Sequence, residues 1–429
     1  MSAFRYVDGA LMVDGAKLAT LAELHGTPLY VYAAAEIRGR YRRLARAFGG
    51  TDTFFCYAVK ANPTLGVVAL LAREGAGADV VSGGELERAL AVGIEPGKIV
   101  FAGVGKDATE IDRALEADVL QLNVESAEEL RVVDARARSR GCIADVALRL
   151  NPDVAATTHD KISTGRRFDK FGIAGDGVAA LFDLLRELHH VRLVGLHCHI
   201  GSQIGVIDDF ERAYRRMADF YVAARDTGFP VTRLNLGGGL GVRYVDEREV
   251  DVDAFARMAL AVTRDVGAQL VFEPGRFLVA AAGVLVSRVV VVKTGADDRR
   301  FLVVDAGMNN LVRPAMYGAV HPLLPLRRDL TAGTMVADVV GPICESSDVF
   351  ARDVTMPEAS PGDLVAFTQA GAYGATMASD YNSRGRAAEL LVDGDRAVVL
   401  KPGRRPEELF EDEPIPAWLT SPVAGTSAA

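Results

Sequence analysis

The sequence predicts a parallel (β/α)8 barrel joined to an all-β domain, and three observations predict it. Between about residues 35 and 280, short apolar runs rich in β-formers alternate with helical stretches eight times, more than an open doubly wound sheet needs. After about residue 280 helical periodicity gives way to apolar runs punctuated by Gly, Pro and Asp, the pattern of an all-β unit. The chemically distinctive residues fall at the C-terminal ends of the predicted strands, where a barrel builds its site.

The predicted barrel strands are Thr53–Val59, Ala78–Val81, Lys98–Ala102, Val119–Asn123, Asp145–Asn151, Arg192–His199, Thr232–Leu236 and Gln269–Glu273. Helices are expected where apolar residues recur with a period of 3.6, at Leu65–Arg73, from Gly83 onward, at Ala179–Leu188 and at Phe210–Ala224. Beyond the barrel, runs beginning at Val284, Phe301, Met335, Asp363 and Leu390 read as strands. The start of the chain, Phe4 to Val13, has a hairpin pattern and is assigned to the same β domain. The expected organisation is a barrel over 35–280, a sandwich- or barrel-like β domain from 1–34 and 281–420, and a disordered tail over 421–429.

Composition narrows the function. With 48 basic and 57 acidic residues the net charge is −9, which argues against nucleic acid and against an anionic membrane surface as partners. No apolar run is long enough to span a bilayer, and no signal-peptide pattern opens the chain. Cysteines stand at 56, 142, 198 and 344, none at CxxC spacing, so neither a zinc site nor a redox pair is expected. A cytoplasmic enzyme with free thiols and no metal is the simplest expectation.

Lys60 lies in Tyr57-Ala-Val-Lys-Ala-Asn62, at the exit of the first barrel strand. A partly desolvated lysine there is expected to have a lowered pKa and to react with a carbonyl. After the seventh strand, Gly237-Gly238-Gly239 can bring backbone amides to a phosphate without side-chain obstruction. Glu273-Pro274-Gly275-Arg276 ends the eighth strand. Its carboxylate can hold a proton on a heterocyclic nitrogen, and its guanidinium can grip an anion. His197-Cys-His199-Ile-Gly-Ser202-Gln203 ends the sixth strand. His199 is the better candidate to stack on a flat ligand, and His197 reads as an interior residue. Arg313 to Tyr317, Cys344 to Asp348 and Gly371 to Gly374 place polar or aromatic groups beside Gly or Pro, and are expected in loops.

Together with Ala78-Asp79-Val-Val-Ser-Gly-Gly-Glu-Leu86, Ile162 to Gly165 and Lys170 to Ile173, these motifs resemble the fold-type III pyridoxal-phosphate decarboxylases, whose fold is that of alanine racemase. The resemblance runs from Phe4 to about Leu419. It implies a pyridoxal 5'-phosphate cofactor carried by Lys60, with Glu273 facing the pyridine nitrogen, His199 stacked on the ring and Asp79 beside it. Ser202, Gly237, Gly238, Gly239, Pro274, Gly275, Arg276 and Tyr373 are implied around the cofactor, mostly on its phosphate side. Arg276, Arg313, Tyr317 and Tyr373 are implied at the substrate, Glu345 at a distal ammonium and Cys344 as a proton donor. The implied substrate is a small-molecule amino acid, long enough to carry an anionic end and a cationic end. The implied assembly is a homodimer in which Cys344 and Glu345 reach the site of the other subunit. An intact Glu273 argues against a racemase, which places an arginine at the ring nitrogen. Departures from the family pattern stand at Phe168-Asp169, Phe277, Asn310 and Ser379 to Gly385, and leave open a decarboxylase of another basic or carrier-linked amino acid.

Overall fold

The computed structural model describes residues 3–154, 170–247, 249–328, 331 and 333–420. Eight strands form the barrel: β1 (Thr53–Ala58), β2 (Gly77–Val80), β3 (Ile99–Phe101), β4 (Gln121–Val124), β5 (Ala144–Asn151), β6 (Val191–His197), β7 (Arg233–Asn235) and β8 (Gln269–Phe272). Each pairs in parallel with the next, and β8 pairs with β1, closing the cylinder. All eight predicted strands are present, most of them shorter at their ends.

Alternation along each strand decides what enters the barrel. In the lower interior Cys56, Val100 and Val271 form one buried apolar cluster, with buried Gln121 in register with Val100 and donating to Asn123 Oδ1 at 2.8 Å. The next inward positions toward the C-terminal rim are Asp79, Asn123, His197, Asn235 and, just past β8, Glu273, all nearly or fully buried. Outward residues pack on helices: Phe55 of β1 and Phe272 of β8 meet Phe48, with ring centroids 5.6 and 4.9 Å away. The helices expected at Leu65–Arg73 and from Gly83 are present, the latter ending at Ala91. In the second helix Ser82 accepts from Glu85 N, a serine N-cap.

In β6 the register to β5 shifts between Leu193 and Gly195, leaving Val194 as an extra residue. A bulge of this kind reverses the phase of the side chains beyond it. The strand ends at His197, so His199 lies in the following loop rather than on the strand.

The second unit is a nine-stranded sheet built around the long strand Gly283–Thr294. It takes in Leu29–Ala33, Arg300–Val304, Thr334–Val340, Leu364–Phe367 and the hairpin Ala388–Asp393/Arg396–Lys401. The N-terminal strands form their own three-stranded sheet, tied to this unit by packing and by a bridge from Ala10 to Arg327. Two expectations are corrected here, at Val349–Pro357 and at Arg313–Tyr317. The sequence does not predict the strand at Val349–Pro357; four of its nine residues are polar, charged or proline, which masks alternation. Arg313–Tyr317 is a one-turn helix with Pro314 in its first turn, not a loop.

Polar ties bring the sheet unit onto the barrel rim. Buried Glu389 accepts from Tyr32 Oη at 2.7 Å, from Thr64 Oγ1 at 2.8 Å and from Lys401 Nζ at 2.7 Å. Asn62 Nδ2 donates to Gly371 O at 3.2 Å, and Tyr373 N donates to Ala61 O at 2.8 Å. These last two bonds fix the C-terminal end of the turn that carries Lys60. Residues 162–165 and 168–169 of the sequence motifs, and the tail 421–429, lie outside the described residues.

Candidate active site

A cavity of about 400 Å³ opens at the C-terminal rim of the barrel, lined among others by Lys60, His199, Ser202, Arg276, Arg313, Tyr317 and Tyr373. β1 stops at Ala58 and the chain tightens into the 3-10 turn Val59–Ala61. Tyr57 Oη donates to Asn62 O at 3.0 Å, closing that turn. Lys60 Nζ donates to Asp79 Oδ2 at 2.8 Å.

The charge of Lys60 differs from expectation. Burial pulls its ammonium down, but 36 % of the side chain stays exposed, and the nearby carboxylates Asp79 and Glu273 outweigh burial, holding the lysine above its usual value. The expected lowered pKa is therefore corrected: Lys60 stands as a cation paired to a buried aspartate. Asp79 is pushed up, first by burial and then by Glu273, with Lys60 opposing. Its Oδ1 is buried and has no hydrogen-bond partner among the described residues.

Glu273 is held from three strands. Its Oε1 accepts from Asn235 Nδ2 at 2.7 Å and Asn123 Nδ2 at 3.4 Å, and its Oε2 faces His197 Nε2 at 3.2 Å. Burial alone would raise this carboxyl. His197, by charge and hydrogen bond, and Lys60 more than cancel it and hold Glu273 well below the usual carboxylate range. Sequence reading missed all three supports as a set. The signal was partial: each is a polar residue at or near the C-terminal end of its strand, where a barrel builds its site. Glu273→Gln is expected to slow turnover about a hundredfold with little change in KM. A neutral amide cannot hold a pyridinium proton as a carboxylate does, and it turns an N–H toward groups that already donate. Steady-state kinetics check this; an unchanged kcat removes Glu273 from the reaction.

His199 Nδ1 accepts from Gly238 N at 3.1 Å. Burial, then the Lys60 and Arg149 cations, push its pKa down to about 3, so the ring is neutral. The glycine run needs its lack of side chains for a reason other than the one expected. A Cβ at Gly237 would lie 2.2 Å from Cys198 O, and one at Gly238 2.1 Å from Glu273 O. The amides of Gly237 and Gly238 are spent on Asn235 Oδ1 and His199 Nδ1. The glycines thus let three strand ends close on one another, and two of the three amides do not point to a ligand.

The short helix Arg276–Val279 starts just after Gly275, where a Cβ would press on Ala58 and Ala61 at 3.0 and 3.2 Å. Arg276 is buried: its guanidinium donates to Ser202 Oγ at 3.2 and 3.1 Å and to Tyr244 Oη at 2.7 Å, and lies 4.8 Å from the Tyr373 ring centre. Arg313 donates to the same Tyr244 Oη at 2.9 Å. Its pKa is lowered, by burial foremost and also by Arg276. Tyr244, Gln203 and His321 were not singled out from the sequence as site residues, although Gln203 was quoted within its motif. Gln203 clamps Val242 through both backbone groups, at 2.5 and 3.1 Å.

Cys344 and Glu345 are exposed and lie outside the lining of this cavity. Cys344 N donates to Asn382 Oδ1 at 3.1 Å, and Tyr381 Oη hydrogen-bonds Glu345 Oε1. The divergent Ser379 to Gly385 segment therefore holds these two residues in place. Asn310 Oδ1 accepts from Gly307 N at 3.1 Å, a task an aspartate oxygen performs equally. Phe277 is buried beneath Arg40, whose guanidinium carbon lies 5.2 Å from its ring centre.

A closed (β/α)8 barrel with a lysine at the exit of β1, a buried ionised carboxylate after β8 and a sheet unit on the rim defines a pyridoxal-phosphate-dependent decarboxylase. The family model for the pyridoxal binding domain of pyridoxal-dependent decarboxylases matches residues 34–280. The chain is 45 % identical over 416 residues to a diaminopimelate decarboxylase of Pseudomonas aeruginosa, covering 97 % of this chain and 99 % of that one. Its fold matches the diaminopimelate decarboxylase of Helicobacter pylori solved with L-lysine at a TM-score of 0.89 and 38 % identity, over 92 % of this chain and 98 % of that one. The M. jannaschii diaminopimelate decarboxylase solved with L-lysine matches at 0.92 and 36 %, over 98 % and 100 %. The chain belongs to the diaminopimelate decarboxylase family.

Proposed function

We propose that this protein decarboxylates meso-2,6-diaminopimelate to L-lysine and carbon dioxide, acting as a cytoplasmic homodimer whose subunits complete each other's sites. The observation that carries the reading is the polarity of the cavity. A lysine–carboxylate pair and an ionised Glu273 stand on the barrel side, and two buried guanidiniums stand together at the other. The relatives named for this activity, two of them solved with lysine, support the choice of substrate. Four free cysteines support a reducing compartment, and no helix among the described residues is long and apolar enough to cross a membrane.

The residues fit pyridoxal phosphate. Asp79 has a buried oxygen free to accept, His199 is a neutral ring that can stack, and Glu273 is anionic. When bound, the cofactor supplies a sink for the electron pair that departing carbon dioxide leaves behind. Glu273 favours a proton on the pyridine nitrogen, since opposite charge stabilises the charged form. Lys60 must lose a proton to carry the cofactor, and Asp79, in contact with it and made more basic by burial, can accept that proton. Ser202, Gly239, Gly275, Arg276 and Tyr373 surround the phosphate end. Arg276, Arg313 and Tyr317 orient a substrate carboxylate. Glu345 and Cys344, from the neighbouring subunit, meet the distal ammonium and return a proton to the product carbon.

A substrate panel tests the reading. Carbon dioxide release and product are measured with meso-diaminopimelate, its L,L isomer, ornithine, lysine and arginine. Meso-diaminopimelate is expected to be turned over with kcat/KM at least about a hundredfold above the others. Preference for ornithine, lysine or arginine would identify a related decarboxylase instead.

A further inference from the structure

Two guanidiniums side by side in a buried site repel each other, so something must hold them together. Here it is one phenol oxygen. Tyr244 Oη accepts from Arg276 Nη1 at 2.7 Å and from Arg313 Nη1 at 2.9 Å. The outer edges of both arginines are also fixed. Ser202 holds Arg276, and His321 Nε2 lies 3.1 Å from Arg313 Nη1. His321 Nδ1 lies 3.0 Å from Thr368 O, so that nitrogen carries the proton and Nε2 accepts. The His321 pKa is pushed down to about 3, by burial and then by Arg313, which keeps it an acceptor.

A phenol oxygen has two lone pairs and one hydrogen. Both lone pairs of Tyr244 are taken by the arginines, which leaves its O–H as a donor at the point where the two positive charges converge. Tyr244 lines the same cavity as Lys60. We propose that Tyr244 is a substrate-binding residue, its O–H donating to the carboxylate that Arg276 and Arg313 attract, while its oxygen keeps the two guanidiniums in register. The proposal rests on the amino-acid reading of the site and adds a third donor to it.

Tyr244→Phe keeps the ring, which packs edge-on to His321 with centroids 5.5 Å apart and lies 5.0 Å from the Arg313 guanidinium carbon. It removes only the shared oxygen. Binding of L-lysine and of cadaverine, which lacks the carboxylate, is measured by calorimetry on the cofactor-loaded wild type and variant. Steady-state kinetics with meso-diaminopimelate run alongside. Lysine is expected to bind about ten- to a hundredfold more weakly, as for loss of hydrogen bonds to charged groups. Cadaverine is expected to change less than about threefold, and KM to rise while kcat stays within about threefold. Unchanged lysine affinity, or an equal loss for cadaverine, overturns the assignment. Thermal denaturation reports folding, and Tyr244→His is measured in the same way if the Phe variant does not fold. A wild type that binds lysine but does not decarboxylate meso-diaminopimelate defeats the proposed function and leaves the lysine–cadaverine comparison to judge Tyr244.

Discussion

Lys60→Ala is expected to lower turnover of meso-diaminopimelate by at least about a thousandfold, because a covalent carrier cannot be replaced by packing. The same assignment has a chemical readout that does not depend on activity. Reduction of the loaded wild type with borohydride fixes the pyridoxyl group on the lysine that carries it, and peptide mapping then locates it. The label is expected on Lys60. Lys106 is a poor competitor: its ammonium is buried against Gly103 O at 2.6 Å, Asn123 O at 2.8 Å and Glu129 at 2.7 Å. Label on Lys106, Lys161 or Lys170 would place the cofactor elsewhere and take the assignment with it. The positive charge on Lys60 adds a corollary. Asp79→Asn removes the carboxylate that holds Lys60 protonated, so the borohydride-sensitive adduct is expected to form at lower pH than in the wild type.

Cys344→Ala is expected to be nearly inactive, yet to regain function when paired with Lys60→Ala. Cys344 is exposed in its own chain and stands apart from the cavity that holds Lys60, so the proposed proton donor needs a second copy. Two-fold symmetry makes that contact reciprocal, giving two composite sites per dimer. When the two variants are unfolded and refolded together in equal amounts, about half the dimers are mixed, each with one intact site, so about a quarter of wild-type activity is expected. No recovery, with subunit exchange confirmed by tagged chains, would show that Cys344 does not act across the interface.

Much of this was legible from the chain alone because it is local. Thr53 to Ala58 is an apolar run of β-formers, and the lysine two residues later was visible as a strand-exit residue without any neighbour being known. Glu273 was visible for the same reason. Val349–Pro357 was not legible, since its polar residues break the alternation that marks a strand. Arg313–Tyr317 has the sequence of a loop because five residues are too few to show a helical period, and Pro314 signals both a turn and a helix start.

What the sequence by itself determined is therefore the barrel, the order of its strands and the two residues that bracket its chemistry, Lys60 and Glu273. Hydrophobic period and strand-end position are properties of a few consecutive residues. What only the tertiary structure decided depends on distances between remote segments. The extra residue at Val194 sets which face His197 presents, and no local pattern marks it. The sign of the Lys60 shift follows from Asp79 and Glu273, 19 and 213 residues away in the chain, because Coulomb energy depends on separation in space and burial acts in the opposite direction. Tyr244 joins two arginines, one 32 and one 69 residues further on; it is a tyrosine after a glycine-rich turn until the fold brings both guanidiniums to its single oxygen.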